Sequence, residues 1–495
     1  LKRTVAQFFW ISTAAMASAT AGLRSLESVS GVGKLFIFRE GKRLAKALLQ
    51  QGDENPRMFK MFMGPKPSLA ITHPDLARQV LTRHQDFRKA DNDAIASKSI
   101  QAPLNYTKDG QNASIVMTNG AEWQALRKPV DPTFEKQALR RLVPKFVEAT
   151  DKLLDTWKGS NTIDAKRDMS RFAVDVLGAA TFGQGFGAIE GGFDDTYRHY
   201  NVVMQEMLNP LYLTFPVLER LPTPRNIRYK KAVDHMFKVL EGAVESRIEK
   251  RREEMAAGTF KDEPQDMLDM MLGSGLDPQG VLPKGCMVPV LWIFFLAGHD
   301  TTAVSLAWTM HFLARHPEVQ AKARQEAFEV LNGKKDPDAD DLEKVPYINA
   351  VISECLRLRP PVYNLISREA AVDTELDGVA VPKGTGISLH IGAINRHPEV
   401  WENPSEFDPE RFLQDKQPRI FNYLPFSAGP RRCLGDKFSL LEQRTLLLKL
   451  LTQYEVLPDG DTARMAQQEA TYTKSAISLM LLQPEEIKVR IRSLQ

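Results

Sequence analysis

The chain is 495 residues long, with 65 Lys and Arg against 62 Asp and Glu, so its formal charge is only +3. Hydrophobic residues make up 43% and Gly and Pro number 30 each, which excludes a disordered, collagen-like or low-complexity chain. So small a charge argues against a dedicated nucleic-acid binder, and three cysteines cannot build a disulfide framework; one stays unpaired, which points to a reducing compartment.

Residues 4–23 carry no charge and are long enough to span a bilayer. Val5, Phe8, Phe9, Trp10, Ile11, Met16 and Leu23 are their only strongly apolar members. The segment reads as a weak anchor or its remnant, a transit segment, or an ordinary helix. Residues 58–63 (MFKMFM), a Gly-Pro-Lys-Pro turn and residues 68–72 predict two short strands, and His73-Pro74-Asp75 opens a helix. Apolar spacings of three and four predict amphipathic helices from about 120 to 255, broken by a Pro-rich loop over 210–224. Residues 286–315 predict a helix apolar nearly all round, about 45 Å long, enough to cross a domain core. Helices follow over 317–331 and 344–358, then a β-rich section over 374–391 with a Leu-Asp-Gly turn, a helix over 436–453 and terminal strands. Without repeats or Gly/Ser-rich linkers, the simplest account is one mainly helical domain with a minor β region, spanning 29–495 after an N-terminal segment 1–28.

Four stretches carry chemistry-bearing residues. In Phe426-Ser-Ala-Gly429-Pro-Arg431-Arg432-Cys433-Leu-Gly435, the glycines give turn freedom. The arginines and the helix N-terminus that follows are expected to lower the thiol pKa of Cys433. A lone Cys suits neither zinc nor an iron–sulfur cluster. A cofactor bringing its own remaining ligands, such as haem, fits better, and the alternative is a buried free Cys beside a basic loop. Ala297-Gly298-His299-Asp300-Thr301-Thr302 places an acid, a glycine and hydroxyls inside the apolar helix. That describes either a ladder opened beside a cavity or a kinked core helix. Glu354 and Arg357 form an i,i+3 pair, usually a solvated one, and Arg411 sits in the turn Phe407-Asp-Pro-Glu-Arg411-Phe412. Trp123 and Arg127 lie one turn apart, suited to gripping a carboxylate, or else to a core Trp beside a surface Arg. Gly183-Gln-Gly185-Phe-Gly-Ala188 imitates a dinucleotide fingerprint but follows a helical pattern rather than a strand, so it is set aside.

Taken together, from about residue 30 to 495, these motifs resemble the cytochrome P450 superfamily, the haem-thiolate monooxygenases, in its eukaryotic microsomal form. The Cys loop matches F-x-x-G-x-R-x-C-x-G at every fixed position. The resemblance implies Cys433 as axial ligand to the iron of haem b, a thiolate that favours O–O cleavage. It places Thr301 and Asp300 over the distal face to deliver protons for dioxygen activation, Thr301 holding a water and Asp300 relaying from solvent. Gly298 makes room for dioxygen, and Ala297 and Phe426 line the haem. Trp123, Arg127, Arg368 and Arg431 bind its propionates, and Glu354, Arg357 and Arg411 form a structural charge triad. The implied activity is hydroxylation or epoxidation of a lipophilic substrate such as a fatty acid, steroid, terpenoid or xenobiotic. Substrate contacts are expected in 100–118, 207–218, 290–302, 362–366 and 475–477. Electrons come from NADPH through a flavoprotein reductase docking near Lys128, Lys145, Arg432 and Lys437. A haem-thiolate isomerase, dehydratase or peroxygenase is the second enzyme reading, which the Asp300–Thr301 pair disfavours, and a haem-based sensor the non-enzyme one. Pro56 is the single proline in 24–57, where microsomal members carry a Pro-rich hinge. Membrane attachment at the cytosolic face of the endoplasmic reticulum is therefore expected alongside an organellar alternative.

Overall fold

The computed structural model describes residues 57–494, without 64–65, 91–95, 193, 208, 210–211, 213–215, 262, 274–281, 283–284, 366–367, 414–417, 461–483 and 485. The expectations for residues 1–28 and 475–477 lie outside the described residues.

Strands β1 (Met58–Met63) and β2 (Lys66–Ile71) form the expected hairpin. His73 then caps α1 (Pro74–Thr82), its side chain accepting from the Asp75 N–H. After β3 (Phe87–Lys89) come α2 (Gly120–Val130), α3 (Val143–Thr156), β4 (Thr162–Asp164), α4 (Ala165–Phe182), α5 (Asp194–Met207) and α6 (Pro224–Ala256). The core-crossing helix α7 (Met287–Arg315) is followed by α8 (Pro317–Leu331) and α9 (Pro346–Leu358). The chain ends with β5 (Arg368–Ala370), β6 (Thr374–Leu376), β7 (Val379–Val381), β8 (Gly386–Leu389), α10 (Asp436–Gln453), β9 (Tyr454–Pro458) and β10 (Lys488–Ser493). One sheet has the order β1-β2-β8-β5-β3, with β2 and β8 parallel; β4-β10-β9 and β6-β7 make two more. Asp377 and Gly378 both have positive φ in the β6–β7 turn, the geometry a two-residue hairpin demands.

α7 is long and apolar enough to span a membrane, but it is mostly buried inside the protein and serves as a core helix. It packs along α4, where Gly298 allows close approach: a Cβ there would lie 3.0 Å from Leu177. It is tied to α10 by Thr302 to Ser439 at 2.9 Å and by Ser305 to Gln443 at 2.8 Å. The would-be nucleotide loop begins with Gly183, which ends α4 in the left-handed conformation at φ +84°. It is a helix stop.

Glu354, Arg357 and Arg411 meet. All five N–H groups of fully buried Arg357 are used: Nε and Nη2 on Glu354 at 2.6 and 2.8 Å, the rest on the carbonyls of Asn395, Pro404 and Glu406. Glu354 also accepts from the Asp408 N–H at 2.9 Å and from Arg411 Nε at 3.2 Å. The pair clamps the irregular loop 395–411 onto α9. Breaking a buried pair strands the other charge, at a cost of about 3–5 kcal/mol. Arg357→Ala is therefore expected to lower unfolding stability by that amount in urea titrations, whereas Arg198→Ala, in an exposed pair with Asp195, changes little.

Candidate active site

The middle of α7 departs from its surroundings. Phe295, His299 and Asp300 are buried, yet Ala297 is exposed and Thr301, one turn on, is half-buried. In a helix crossing the core, accessible side chains on one face open onto an interior hollow. Cys433 is likewise exposed, although burial is the largest cause pushing its thiol pKa up. A sulfur that is accessible yet surrounded by protein lies deep in a hollow. The hydrogen bonds joining α7 to α10 bring these two faces into one region.

The expectation of an acidified thiol is not met. Burial outweighs the Gly435 backbone N–H, and the Asp436 carboxylate opposes ionisation. Arg127 and Arg432 lower the pKa by less: Arg432 pairs with Asp436 at 2.7 Å, and Arg431 lies 4.3 Å over the Trp123 ring while donating to the Ile115 and Thr118 carbonyls. Gly429 sits at φ +73° with the Leu81 carbonyl 2.8 Å from where a Cβ would be. Gly435, at φ −87°, needs no glycine freedom. Phe426, half-buried, accepts the Cys433 N–H at 2.9 Å. Gly298 also has another role than expected, since the room it makes is filled by Leu177.

A cluster of cations gathers beside Trp123. The β3–β5 register sets Lys89 directly opposite Arg368, a like-charge pair that weakens a sheet. Burial, Arg368 and Arg431 together bring Lys89 down to about 7. Burial lowers Arg368 to about 10, and burial with Arg368 and Arg127 does the same to Arg431. Among the described residues, no carboxylate pairs with Arg368 or Arg431. Arg127 is neutralised by Asp131 and donates to the Arg432 carbonyl at 3.2 Å. Lys89 escaped the sequence reading because only the strand register brings it opposite Arg368.

Asp300 and Thr301 are neighbours with different surroundings. Thr301 Oγ1 donates to the Ala297 carbonyl at 2.8 Å on the accessible face. Asp300 is buried; its Oδ2 accepts from Tyr200 of α5 at 2.7 Å, and its Oδ1 lies 3.3 Å from His299 Nε2. Burial raises its pKa, but His299 and Tyr200 outweigh burial and hold it below the ordinary carboxylate value. No sequence signal set Tyr200 apart from other tyrosines in an amphipathic helix.

A family profile described as Cytochrome P450 matches residues 25–489. The chain belongs to the cytochrome P450 family. It is similar to an echinocystic acid 23-monooxygenase from Saponaria officinalis, 28% identical over 80% of this chain and 75% of that one. It is also similar to cytochrome P450 4c21 from Blattella germanica, 30% identical over 79% of each. The crystal structure of the cytochrome P450DA heme domain shares the fold, with a TM-score of 0.73 at 22% identity over 92% of both chains. The protein is a cytochrome P450 monooxygenase, and its helical domain with small sheets is the P450 fold.

In this P450 the carboxylate of Asp300 is stabilised above its ordinary pKa and loses that stabilisation as pH falls through its lowered folded value. Tyr200→Phe is expected to cost about 1.5–3 kcal/mol at pH 7, the range for a hydrogen bond to a charged group. The loss should shrink as pH falls below the ordinary carboxylate value of about 4 and vanish once pH passes the lowered folded value. Denaturant unfolding at the two pH values checks both amounts.

Proposed function

We propose that the enzyme holds haem b with Cys433 as the axial thiolate and with Lys89, Arg368, Arg431 and Trp123 around its propionates. The single observation supporting this is the crowding of buried Arg368 with half-buried Lys89 and Arg431, cations whose mutual repulsion two carboxylates would relieve. Arg127 is a lesser contributor, because Asp131 already neutralises it. Burial raises the Cys433 thiol against the lowering effect of the Gly435 N–H, Arg127 and Arg432, and a bound metal ion would favour the thiolate. Bound there, haem supplies dioxygen activation.

The chain's own residues then have separable tasks. Ala297 leaves the α7 face open, and Thr301 Oγ1 on that face holds a water and passes a proton into the hollow. Asp300 stands behind it as the ionised acid, kept in place by Tyr200 and His299. The substrate is lipophilic, a fatty acid, steroid, terpenoid or xenobiotic; a relative is named for echinocystic acid. Ile100, Val116, Val362 and Leu365, half-buried apolar residues in the expected contact segments, provide its surroundings. The reaction is hydroxylation or epoxidation, with electrons from NADPH through a flavoprotein reductase. Lys128 and Lys437 are exposed and form the docking charges, with Arg432 a lesser one because Asp436 pairs with it. Lys145 drops out, because its amine donates to the Ala179 carbonyl at 3.0 Å. Residues 1–28 attach residues 29–495 to the endoplasmic-reticulum membrane, an organellar membrane being the alternative.

Two measurements test this reading. Lys89→Met is expected to speed haem transfer to excess apomyoglobin several-fold with the fold intact by circular dichroism; an unchanged transfer rate refutes the propionate assignment. Thr301→Ala, assayed with a ligand that shifts the haem spin state, is expected to keep NADPH oxidation while product falls and hydrogen peroxide rises. Unchanged coupling refutes the proton-delivery role.

A further inference from the structure

We propose that His73, His397 and Glu399 form a binding site for a divalent metal ion of the zinc class, built from none of the residues assigned to the Cys433 hollow. His73 is the N-cap of α1, and the other two lie in the loop that Arg357 clamps, 326 residues from His73 in the case of Glu399. Their ligand atoms all lie within 4.8 Å of one another. Ligands about 2.0 Å from a tetrahedral ion stand about 3.3 Å apart, so small side-chain rotations close the site. Two imidazoles and a carboxylate are a zinc ligand set that leaves a fourth position for water.

His397 supplies the independent observation. It is 1% exposed, and neither ring nitrogen has a hydrogen-bond partner among the described residues. Its ring meets that of His73 edge-on at 4.6 Å. A buried imidazole with two unmet nitrogens is costly unless something binds it. Burial lowers its pKa and favours the neutral form that a metal requires.

His73 is set up for the same task. Its Nδ1 accepts from the Asp75 N–H at 3.2 Å, so the neutral ring carries its proton on Nε2, which donates to Glu399 at 3.1 Å. On metal binding at Nε2 that proton is replaced by the ion and the ring is protonated at Nδ1 instead, which gives up the hydrogen bond from the Asp75 N–H. There the Asp75 carboxylate, 3.8 Å away and 60% exposed, rotates to accept it. The result is the carboxylate–histidine–metal arrangement that orients such ligands. Carboxylates also outnumber cations close by: Arg57 lies 3.8 Å from Asp75 and 3.3 Å from Asp377.

A second cluster, Asp195, His199 and His235, differs in that each imidazole already has a partner. His199 Nδ1 donates to the Asp195 carbonyl at 2.9 Å, and His235 Nε2 lies 3.2 Å from Thr196 Oγ1. It serves as the internal control. Tag-free, chelator-washed holoprotein is titrated with zinc chloride against a chromophoric chelator. One tight equivalent is expected, weakened about tenfold or more by His397→Ala and by Glu399→Gln, and unaffected by His235→Ala. Glu399 is exposed at the surface, so Glu399→Gln tests the site even where His397→Ala does not fold. No tight equivalent in the parent protein, equal retention by Glu399→Gln, or loss only in His235→Ala overturns the proposal.

Discussion

Like charge gathered in a half-buried place is the constraint on which the site depends. Lys89 and Arg368 are set opposite each other by strand register, and Arg431 is laid over Trp123 from another part of the chain. Each is moved toward its neutral form by burial, and Lys89 and Arg431 also by neighbouring cations. A protein evolved for stability alone would put a carboxylate among them or replace them with apolar residues. The proposed occupant, an anion with two carboxylates, would relieve the repulsion among these cations.

The rest of the fold holds that site still. α7 carries the accessible Ala297–Thr301 face and is fixed on one side by Leu177 against Gly298, and on another by Ser439 and Gln443 of α10. α10 follows directly after the Cys433 loop, so the same hydrogen bonds anchor the helix that leaves that loop. The Glu354–Arg357–Arg411 clamp serves a different part of the chain. It fastens an irregular loop to α9 through the carbonyls of that loop, where no regular ladder could do so.

Much of this was legible in the sequence, for reasons that differ by element. The apolar run over 286–315 could only be a core or membrane helix, and its interruption by Gly298, Asp300 and Thr301 marked the site. The Cys loop could be read because a family signature fixes its spacing. What was missed depended on long-range register. Lys89 acquires meaning only opposite Arg368, and Tyr200 only against Asp300, 100 residues away. Two expectations failed because adjacency in sequence was taken for direction in space. Arg431 and Arg432 flank Cys433 in the chain but point to Trp123 and Asp436, and the side of Gly298 that a Cβ would occupy faces Leu177. The same limit hid the His73–His397–Glu399 cluster, in which His73 and Glu399 stand 326 residues apart in the chain.

The central claim is that the sulfur of Cys433, and of no other cysteine, ligates the haem iron. The ferrous carbon-monoxide spectrum of single Cys→Ser variants tests it most directly. Cys286→Ser and Cys355→Ser, changes at buried thiols, should retain the red-shifted Soret band of thiolate ligation. Cys433→Ser should lose it while still binding haem through the cation cluster. Retention of that band in Cys433→Ser, or its loss in either of the other two, would contradict the account.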